Sequence, residues 1–222
     1  AVSLADGAFL AGFLALGQER LADAERWLEA AAENRARLGR LFDKYAVVPR
    51  FDMPVTDEVT ARVDPDLRGI LLGLVEIHQR QKNWPAAIAG LERLRRLEPD
   101  DVVVKLSLAE LLLEEHPGDK PTLKRVVRLA EGCDNENAVH AALLLQKARA
   151  LRGLGLPEAA RQTLTKALRR RKDRPPELLH ALRYERALAF EDLGQPARAR
   201  RDLEKLYAAA PTYEDVATRL GL

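Results

Sequence analysis

The stretch Gly155-Leu-Pro157-Glu-Ala-Ala160-Arg-Gln-Thr-Leu164-Thr-Lys-Ala167 carries the pattern that decides the fold. A small residue is followed by an apolar residue four positions later and by a small residue after three more. This spacing places all three on one face of a helix. A glycine and a proline stand just before the pattern, where one helix ends and another begins. The segment therefore predicts the second helix of an antiparallel helix pair.

The same spacing occurs five times along the chain. The copies are Ala24/Leu28/Ala31, Ala87/Leu91/Leu94, Leu123/Val127/Ala130, Ala160/Leu164/Ala167 and Ala199/Leu203/Leu206. Successive copies lie 63, 36, 37 and 39 residues apart, and the first interval can hold one period plus an insertion. Periods of about 34 to 40 residues are typical of helical repeats that stack into solenoids. We expect an all-α, right-handed α-solenoid of antiparallel helix pairs, an architecture that usually provides a binding surface.

Prolines and glycines at matched offsets from the copies mark the predicted helix boundaries. The predicted helices cover residues 4–17, 20–43, 66–81, 84–97, 101–115, 120–131, 136–153, 157–171, 176–193, 196–209 and 212–220. Asp64 and Pro65 are expected to open the helix at 66. The last helix, capped by Thr212, is expected to cover the final hydrophobic face with Val216 and Leu220. We expect a single domain over residues 1–222.

Residues 44–64 interrupt the array with an irregular insertion rich in Val, Thr and Pro. Pro49 and Pro54 forbid a continuous helix there. In one interpretation, the insertion is ordered and packs its valines, Phe51 and Met53 against one side of the solenoid. In the other, it is a functional loop that borders or occupies the binding groove. We prefer the first and keep the second open.

Composition sets limits on location and partners. With 36 basic and 34 acidic residues, no global field favours nucleic acid or an anionic membrane. The apolar run at 7–17 is too short to span a bilayer and lacks a basic leader, so neither membrane insertion nor a signal peptide is expected. The chain begins at Ala1, which suggests a processed product or a fragment, and we expect a cytoplasmic location.

The repeat resembles the tetratricopeptide repeat (TPR). The copy around Ala87 offers Leu71, Leu74, Ala87, Leu91, Leu94 and Pro99 at the family's packing and stop positions, and the last copy offers Ala187, Phe190, Gly194, Ala199, Leu203 and Pro211. The resemblance covers nearly the whole chain outside 44–64 and implies about five helix pairs. It departs from the family where Leu71, Lys105, Leu144 and Arg183 replace the large aromatic near the start of the first helix.

The resemblance implies a concave face built from the first helix of each pair. We call the following inward positions the predicted groove: Leu72, Glu76, Leu106, Glu110, Leu145, Gln146, Arg149, Tyr184 and Leu188. The groove contains no asparagine, so a clamp for a chaperone-tail carboxylate is not expected. A leucine floor with scattered charges suits an amphipathic helix or an extended apolar segment. We therefore expect a noncatalytic scaffold or adaptor that binds another protein or peptide.

A basic cluster is the strongest charge feature of the sequence. It consists of Arg169, Arg170, Arg171, Lys172 and Arg174. These cations could contact phosphates, which leaves a nucleic-acid-associated repeat protein as an alternative. They could also complement the negative end of a helix dipole on a solvated helix end, and we prefer this interpretation because no aromatics interleave for base stacking.

Motifs of catalysis and cofactor binding are missing from the sequence. There is no glycine-rich phosphate loop, nucleophile elbow or metalloprotease helix motif. Cys133 and His140 are the nearest soft ligand pair, and two ligands do not make a zinc site. We expect no catalytic residue, no cofactor, no metal and no small-molecule substrate. Homo-oligomerisation through 20–43 or 44–64 is a further alternative.

Overall fold

The computed structural model describes residues 4–47 and 49–222 of the chain. These residues pack as two compact units. The first lies within Ala1–Val55 and Thr60–Val104, and the second comprises Thr56–Val59 and Lys105–Leu222. The expectation of a single domain over 1–222 stays a prediction.

Helices form most of both units. The chain begins with α1 (Leu4–Gly17), α2 (Leu21–Glu33), α3 (Arg40–Lys44), β1 (Phe51–Thr56), β2 (Val59–Val63), α4 (Leu67–Arg80) and α5 (Trp84–Leu97). It continues with α6 (Val102–Glu115), α7 (Lys120–Leu129), α8 (Ala138–Gly153), α9 (Pro157–Leu168), α10 (Pro176–Asp192), α11 (Pro196–Ala209) and α12 (Val216–Leu220). In the first unit α1 packs on α2 and α4 on α5; in the second, α8, α9, α10 and α11 each pack on the next.

The repeated spacing marks the buried face of the second helices. All residues of the first, second, fourth and fifth copies are at most 2% exposed. The third copy differs, because Val126 is fully buried whereas Val127 is partly exposed. Leu123, Val126 and Ala130 still share one face, since steps of three and four residues are both close to one helical turn. The predicted register of α7 is therefore wrong by one residue at this position.

The predicted helix at 20–43 is wrong, because α2 ends at Glu33. The carbonyl of Ala30 accepts both the backbone N–H of Asn34 at 3.3 Å and its side-chain amide at 2.9 Å, and such local side-chain bonds compete with continuation of the helix. A 3₁₀ turn follows, and Gly39 then adopts a left-handed φ of 91° immediately before α3. Such a conformation favours glycine and cannot continue a helix.

The insertion at 44–64 contains a β-hairpin and is not irregular throughout. β1 and β2 pair into a two-stranded sheet, joined by the two-residue connection Asp57–Glu58. Phe51 stacks on Phe13 of α1 with ring centroids 4.8 Å apart. Met53 is also buried, which agrees with the interpretation of an ordered, packed insertion.

Several other boundaries shift by a few residues. The cap of α4 is Asp66, whose carboxylate accepts from the backbone N–H of Gly69 at 2.6 Å, and not Asp64. α9 ends at Leu168 instead of 171, and α12 begins at Val216, with Asp215 rather than Thr212 at its N-cap position. The hydrophobic cluster at the end of the second unit contains Ala187, Leu203, Leu206, Val216 and Leu220.

Candidate functional site

The leucines of the predicted groove are mostly buried. Leu72, Leu106 and Leu145 are at most 1% exposed, and only Leu188 is partly exposed. In the first unit, the carboxylate of Glu76 accepts from an arginine one turn further along its own helix at 2.7 Å. A partner could reach the three buried leucines only if their packing opened. Their role as partner contacts stays a prediction, but they do not form an exposed floor in this structure.

Polar residues of the predicted groove meet around Arg149 in the second unit. The Nε of Arg149 donates to the carboxylate of Glu185 at 3.1 Å, and its Nη1 donates to Gln146 Oε1 at 3.3 Å. The positive charge of Arg149 also acts on the Glu110 carboxyl, where it opposes the rise in pKa that burial causes. Arg149 thus links two residues, Gln146 of the predicted groove and Glu185, by hydrogen bonds, and its charge acts on Glu110 of α6.

The same network continues along α8 and α10. Arg152 Nη1 donates to the second carboxylate oxygen of Glu185 at 2.8 Å, and its Nε donates to Asp192 at 2.8 Å. Burial alone would lower the pKa of Arg152, but the hydrogen bond to Asp192 and the charge of Glu185 raise it. Glu185 is only 8% exposed, so its charge needs both arginine partners.

An open cleft of about 670 Å³ borders this network, and we call it the charged cleft. It is lined by Arg149, Arg152, Gly153, Gly155, Pro157, Glu185 and Asp192. Gly155 has a left-handed φ of 74° in the turn between α8 and α9, and a side chain placed there would point into open space. Charged side chains therefore border an open recess, and Gly155 adds no side chain at its edge.

Glu110 has the most perturbed carboxyl group in the second unit. Burial and the neighbouring carboxylates of Glu58, Asp57 and Glu114 raise its pKa to about 8, although Arg149 opposes this shift. Burial and like charges both disfavour the ionised form of an acid. Glu110 therefore keeps its proton at neutral pH, while the hairpin turn supplies two of the charges that act on it.

Tyr184 of the predicted groove is held by the C-terminal end of the second unit. Its hydroxyl donates to the carboxylate of Asp215 at 2.6 Å, and its ring lies 5.7 Å from that of Tyr213. Arg219 stands over the ring of Tyr184 at 5.9 Å from the centroid. Burial, together with neighbouring carboxylates that include Glu58, raises the pKa of Tyr213 to about 12. Tyr184 thus joins α10 to the segment around α12.

The basic cluster does not form one surface. Arg169, Arg170, Arg171 and Lys172 are exposed after the end of α9, and within residues 4–47 and 49–222 none has an acidic group at ion-pair distance. Arg174 is instead 9% exposed, and its Nη2 donates to the side-chain oxygen of Asn135 at 3.1 Å. Burial and the charge of Arg170 lower the pKa of Arg174. The structure therefore separates Arg174 from the exposed cations.

The described ranges lack the geometry of a metal site. Within them, no group of three His, Cys, Asp or Glu side chains could hold a metal ion. Burial raises the pKa of the Cys133 thiol, so at neutral pH it is not a ready nucleophile. No helix in the part of the chain that the structure describes has both the length and the apolar character needed to cross a bilayer.

Sequence reasoning missed Arg152 and Asp192 as parts of the site. A signal for the network was present, because Arg149 and Glu185 are 36 residues apart, which is one repeat length. Opposite charges one period apart on equivalent helices can pair when the repeats stack.

Comparisons with known proteins identify the fold. No protein-family model and no curated protein matches the chain. The solved structure of TTC0263, a thermophilic TPR protein in Thermus thermophilus, is 15% identical, with a TM-score of 0.56 over 98% of this chain and 97% of that one. A MamA AMB-1 structure is 17% identical, with a TM-score of 0.55 over 91% and 90% of the two chains. The likeness shows an all-α, TPR-type helical repeat fold of the solenoid class.

Proposed function

We propose that this protein is a noncatalytic interaction scaffold whose second unit binds a segment of a partner polypeptide at the charged cleft. One observation carries the proposal. Glu185 is shared by Arg149 at 3.1 Å and Arg152 at 2.8 Å, beside an open recess of about 670 Å³. Desolvated charges that border a recess favour partners with complementary charges and disfavour others. TPR-type folds in general support protein interaction.

The chemistry of the cleft favours an extended partner segment with charged side chains. Arg149 and Arg152 offer donors to a partner carboxylate, and Asp192 is exposed enough to accept a partner cation. An amphipathic helix that lays apolar side chains on the predicted groove would require Leu106 and Leu145 to become uncovered. That opening would cost packing energy, so we prefer the extended segment over the helix.

Affinity capture with charge reversal tests the proposal. The wild-type chain and Arg149→Glu are used as baits, and captured proteins are quantified by mass spectrometry. A genuine partner should fall at least tenfold with Arg149→Glu. The matched control is Arg128→Glu, because Arg128 is an exposed arginine on α7 that does not line the cleft. Equal capture of every protein by the wild type and Arg149→Glu would exclude the charged cleft as the binding site.

Nucleic-acid binding remains the second candidate, because the exposed cations Arg169–Lys172 lack acidic partners among the described residues. Fluorescence polarisation with a labelled single-stranded RNA should then show affinity that falls steeply with salt. Neutral substitutions in the cluster should make the slope of log affinity against log salt shallower by about 0.7 for each phosphate that is no longer neutralised. Lack of binding at low salt would remove this candidate.

Self-association is the third candidate, and its basis is exposed apolar surface in the first unit. Tyr45 and Val47, which follow α3, are 63% and 52% exposed. Light scattering over a concentration series should show a mass above that of the monomer, and Tyr45→Ser should lower it. A cytoplasmic setting for any of the three functions stays a prediction.

A further inference from the structure

A second recess of the second unit shares no lining residue with the charged cleft. It has a volume of about 320 Å³ and is lined by residues of α8, of α9 and of the loop that follows α7. Its polar lining residues are Cys133, Asp134, Lys147, Gln162, Thr163 and Lys166, and we call it the lysine recess. A recess of this size is at the lower end of the range for small-molecule sites.

Lys166 of α9 is held in a defined position in the lysine recess. Its ammonium group donates to the carbonyl of Cys133 at 3.0 Å and to the carboxylate of Asp134 at 3.1 Å. An ammonium group has three donors, so one remains for a ligand. The side chain of Asp134 is 76% exposed, and solvent therefore screens its negative charge. Asp134 neutralises Lys166 only in part.

Lys147 of α8 brings a second positive charge to the lysine recess. Among residues 4–47 and 49–222, its ammonium group has no acidic group at ion-pair distance. Burial raises the pKa of the Cys133 thiol, whereas the charges of Lys166 and Lys147 lower it. Since Cys133 also lines the recess, both ammonium charges act within it.

The other polar groups of α9 leave the lysines as the side-chain donors for a ligand. Gln162 and Thr163 use their side-chain donors on acceptors one turn earlier in α9, at 2.9 Å each. The carbonyls of Lys166 and Ala167, at the negative end of α9, accept from the side-chain amide of Asn135 at 3.0 and 2.8 Å. Carbonyl groups that would repel an anion are therefore already satisfied.

We propose that the lysine recess is a binding site for a small molecule with a phosphoryl group, held between the ammonium groups of Lys147 and Lys166. A phosphoryl group offers three strong acceptor oxygens, and lysine binds it as a point charge. Arginine, which lines the charged cleft, instead matches a planar carboxylate through its fork of donors. The bound group would link α8 to α9, and no reaction is assigned to it. The inference does not depend on the proposed function.

Labelling of Cys133 tests the proposal, because this residue is the single cysteine of the chain and lines the recess. The rate of alkylation by iodoacetamide is measured on the full chain in inorganic phosphate, acetate or chloride at equal ionic strength. Bound phosphate should slow the labelling at least threefold, because it covers the thiol and its charge disfavours the thiolate. Equal rates in phosphate and chloride would overturn the proposal. Equal protection by acetate would overturn the choice of a phosphoryl group.

A charge-neutralising variant shows whether the protection arises in the lysine recess. Lys147→Gln should abolish it, measured as the ratio of the labelling rates in chloride and phosphate, so that a change in the basal rate cancels. The matched control is Lys124→Gln, because Lys124 is an exposed lysine of α7 that does not line the recess. This control should keep the wild-type ratio. Protection that persisted in Lys147→Gln would contradict the proposed site.

An NMR titration with inorganic phosphate gives a readout that does not use the thiol. The backbone amide signals of Gly132 and Thr163, which line the recess, should shift and saturate in the wild type but not in Lys147→Gln. Shifts that never saturate, or shifts at Gly155 of the charged cleft without any at Gly132, would contradict the proposal. Neither measurement uses a protein partner, so the recess can fail while the charged cleft succeeds in affinity capture, and the reverse.

Discussion

In the first unit, the buried carboxylate of Asp6 accepts hydrogen bonds from the backbone N–H groups of Gly39 at 2.5 Å and Leu41 at 2.9 Å. In the second unit, the Glu110 carboxyl instead has the carboxylates of Asp57 and Glu58 as neighbours. Asp6 is 1% exposed, and its two backbone donors compensate for the lost hydration. At Glu110, burial and the like charges of Glu58, Asp57 and Glu114 favour the protonated form.

Asp6 and Glu110 therefore have different structural roles. Asp6, near the start of α1, satisfies donors at the beginning of the five-residue helix α3, where the helix dipole also favours a negative charge. It therefore fastens the irregular segment after α2 to the first helix. Among residues 4–47 and 49–222, no side-chain hydrogen bond of Glu110 is found, and burial and like charges make its ionised form unfavourable. The Asp6 carboxylate thus links α1 to the start of α3 by hydrogen bonds, whereas the Glu110 carboxyl responds to the charges around it.

The largest losses of stability are expected when a buried leucine is truncated in each unit, and their comparison tests whether the two units are equally well packed. Leu28→Ala in the first unit and Leu164→Ala in the second should each cost about 2–5 kcal/mol in the free energy of unfolding. Both leucines are fully buried at equivalent repeat positions. Urea denaturation followed by circular dichroism measures both losses. A loss below about 1 kcal/mol in either variant would show that the units differ in packing as well as in their carboxyl groups.

Asp6→Ala should cost about 3 kcal/mol, because two buried backbone donors lose a charged acceptor. The matched control is Asp43→Ala, an exposed acidic residue within α3, for which a change within about 0.5 kcal/mol is expected. Urea denaturation again supplies the measurement. If Asp6→Ala lost no more unfolding free energy than Asp43→Ala, the hydrogen bonds of Asp6 would not stabilise the segment after α2.

Glu110→Gln should change the pH dependence of stability. The folded-state pKa is raised from 4.5 to about 8 by burial, Glu58, Asp57 and Glu114, with Arg149 opposing. The folded chain then binds more protons than the unfolded chain between these values. The stability that Glu110 contributes should be fully present below about pH 4.5 and fall by up to about 1.4 kcal/mol per pH unit until pH 8.

Glutamine cannot ionise, so Glu110→Gln should lack this fall and be more stable than the wild type at pH 8. Denaturation midpoints at about pH 5, 6.5 and 8 provide the comparison, with Glu177→Gln as the matched control, because Glu177 is an exposed glutamate of α10 that is not among the charges acting on Glu110. Parallel pH profiles for the wild type and Glu110→Gln would show that Glu110 has an ordinary pKa.

The smallest effect is expected at an exposed carboxylate. Glu158 in the first turn of α9 accepts from Arg161 and Gln162, and these hydrogen bonds lower its pKa to about 2. A lowered pKa adds stability above the ordinary value near 4.5, and this is lost as the pH falls through 2. Because solvent screens the group, Glu158→Gln should barely move the thermal midpoint at neutral pH. A clear drop in the thermal midpoint of Glu158→Gln would show that hydrogen-bond donors make a carboxylate stabilising even when it is not buried.

Local spacing predicted the repeat well and the irregular parts poorly. The copy at Ala160/Leu164/Ala167 lies buried as expected, because burial with a helical period is written directly in the chain. The shift from Val127 to Val126 escaped prediction, since three and four residues from Leu123 are both close to one helical turn. The end of α2 at Glu33 was missed, because the sequence analysis did not use Asn34 and Gly39, which end α2 and precede α3 in the structure.

The candidate site was only partly predictable. Helical spacing was enough to expect Gln146 and Arg149 on one face of α8. It did not reveal that Leu145 is fully buried, because burial of a second helix face depends on what packs against it. Nor did it reveal the shared contact to Glu185, whose geometry depends on how one repeat stacks on the next.

The sequence by itself determined the helix pairs, their period and most of the buried residues with which paired helices pack. These features depend on spacing within a turn or two of helix. Only the tertiary structure decided that Arg149 pairs with Glu185, that Asp6 ties α3 to α1, and that Asp57 and Glu58 raise the pKa of Glu110. Each of these contacts joins residues more than thirty positions apart. Their strength depends on burial and on neighbouring charges, which no local pattern records.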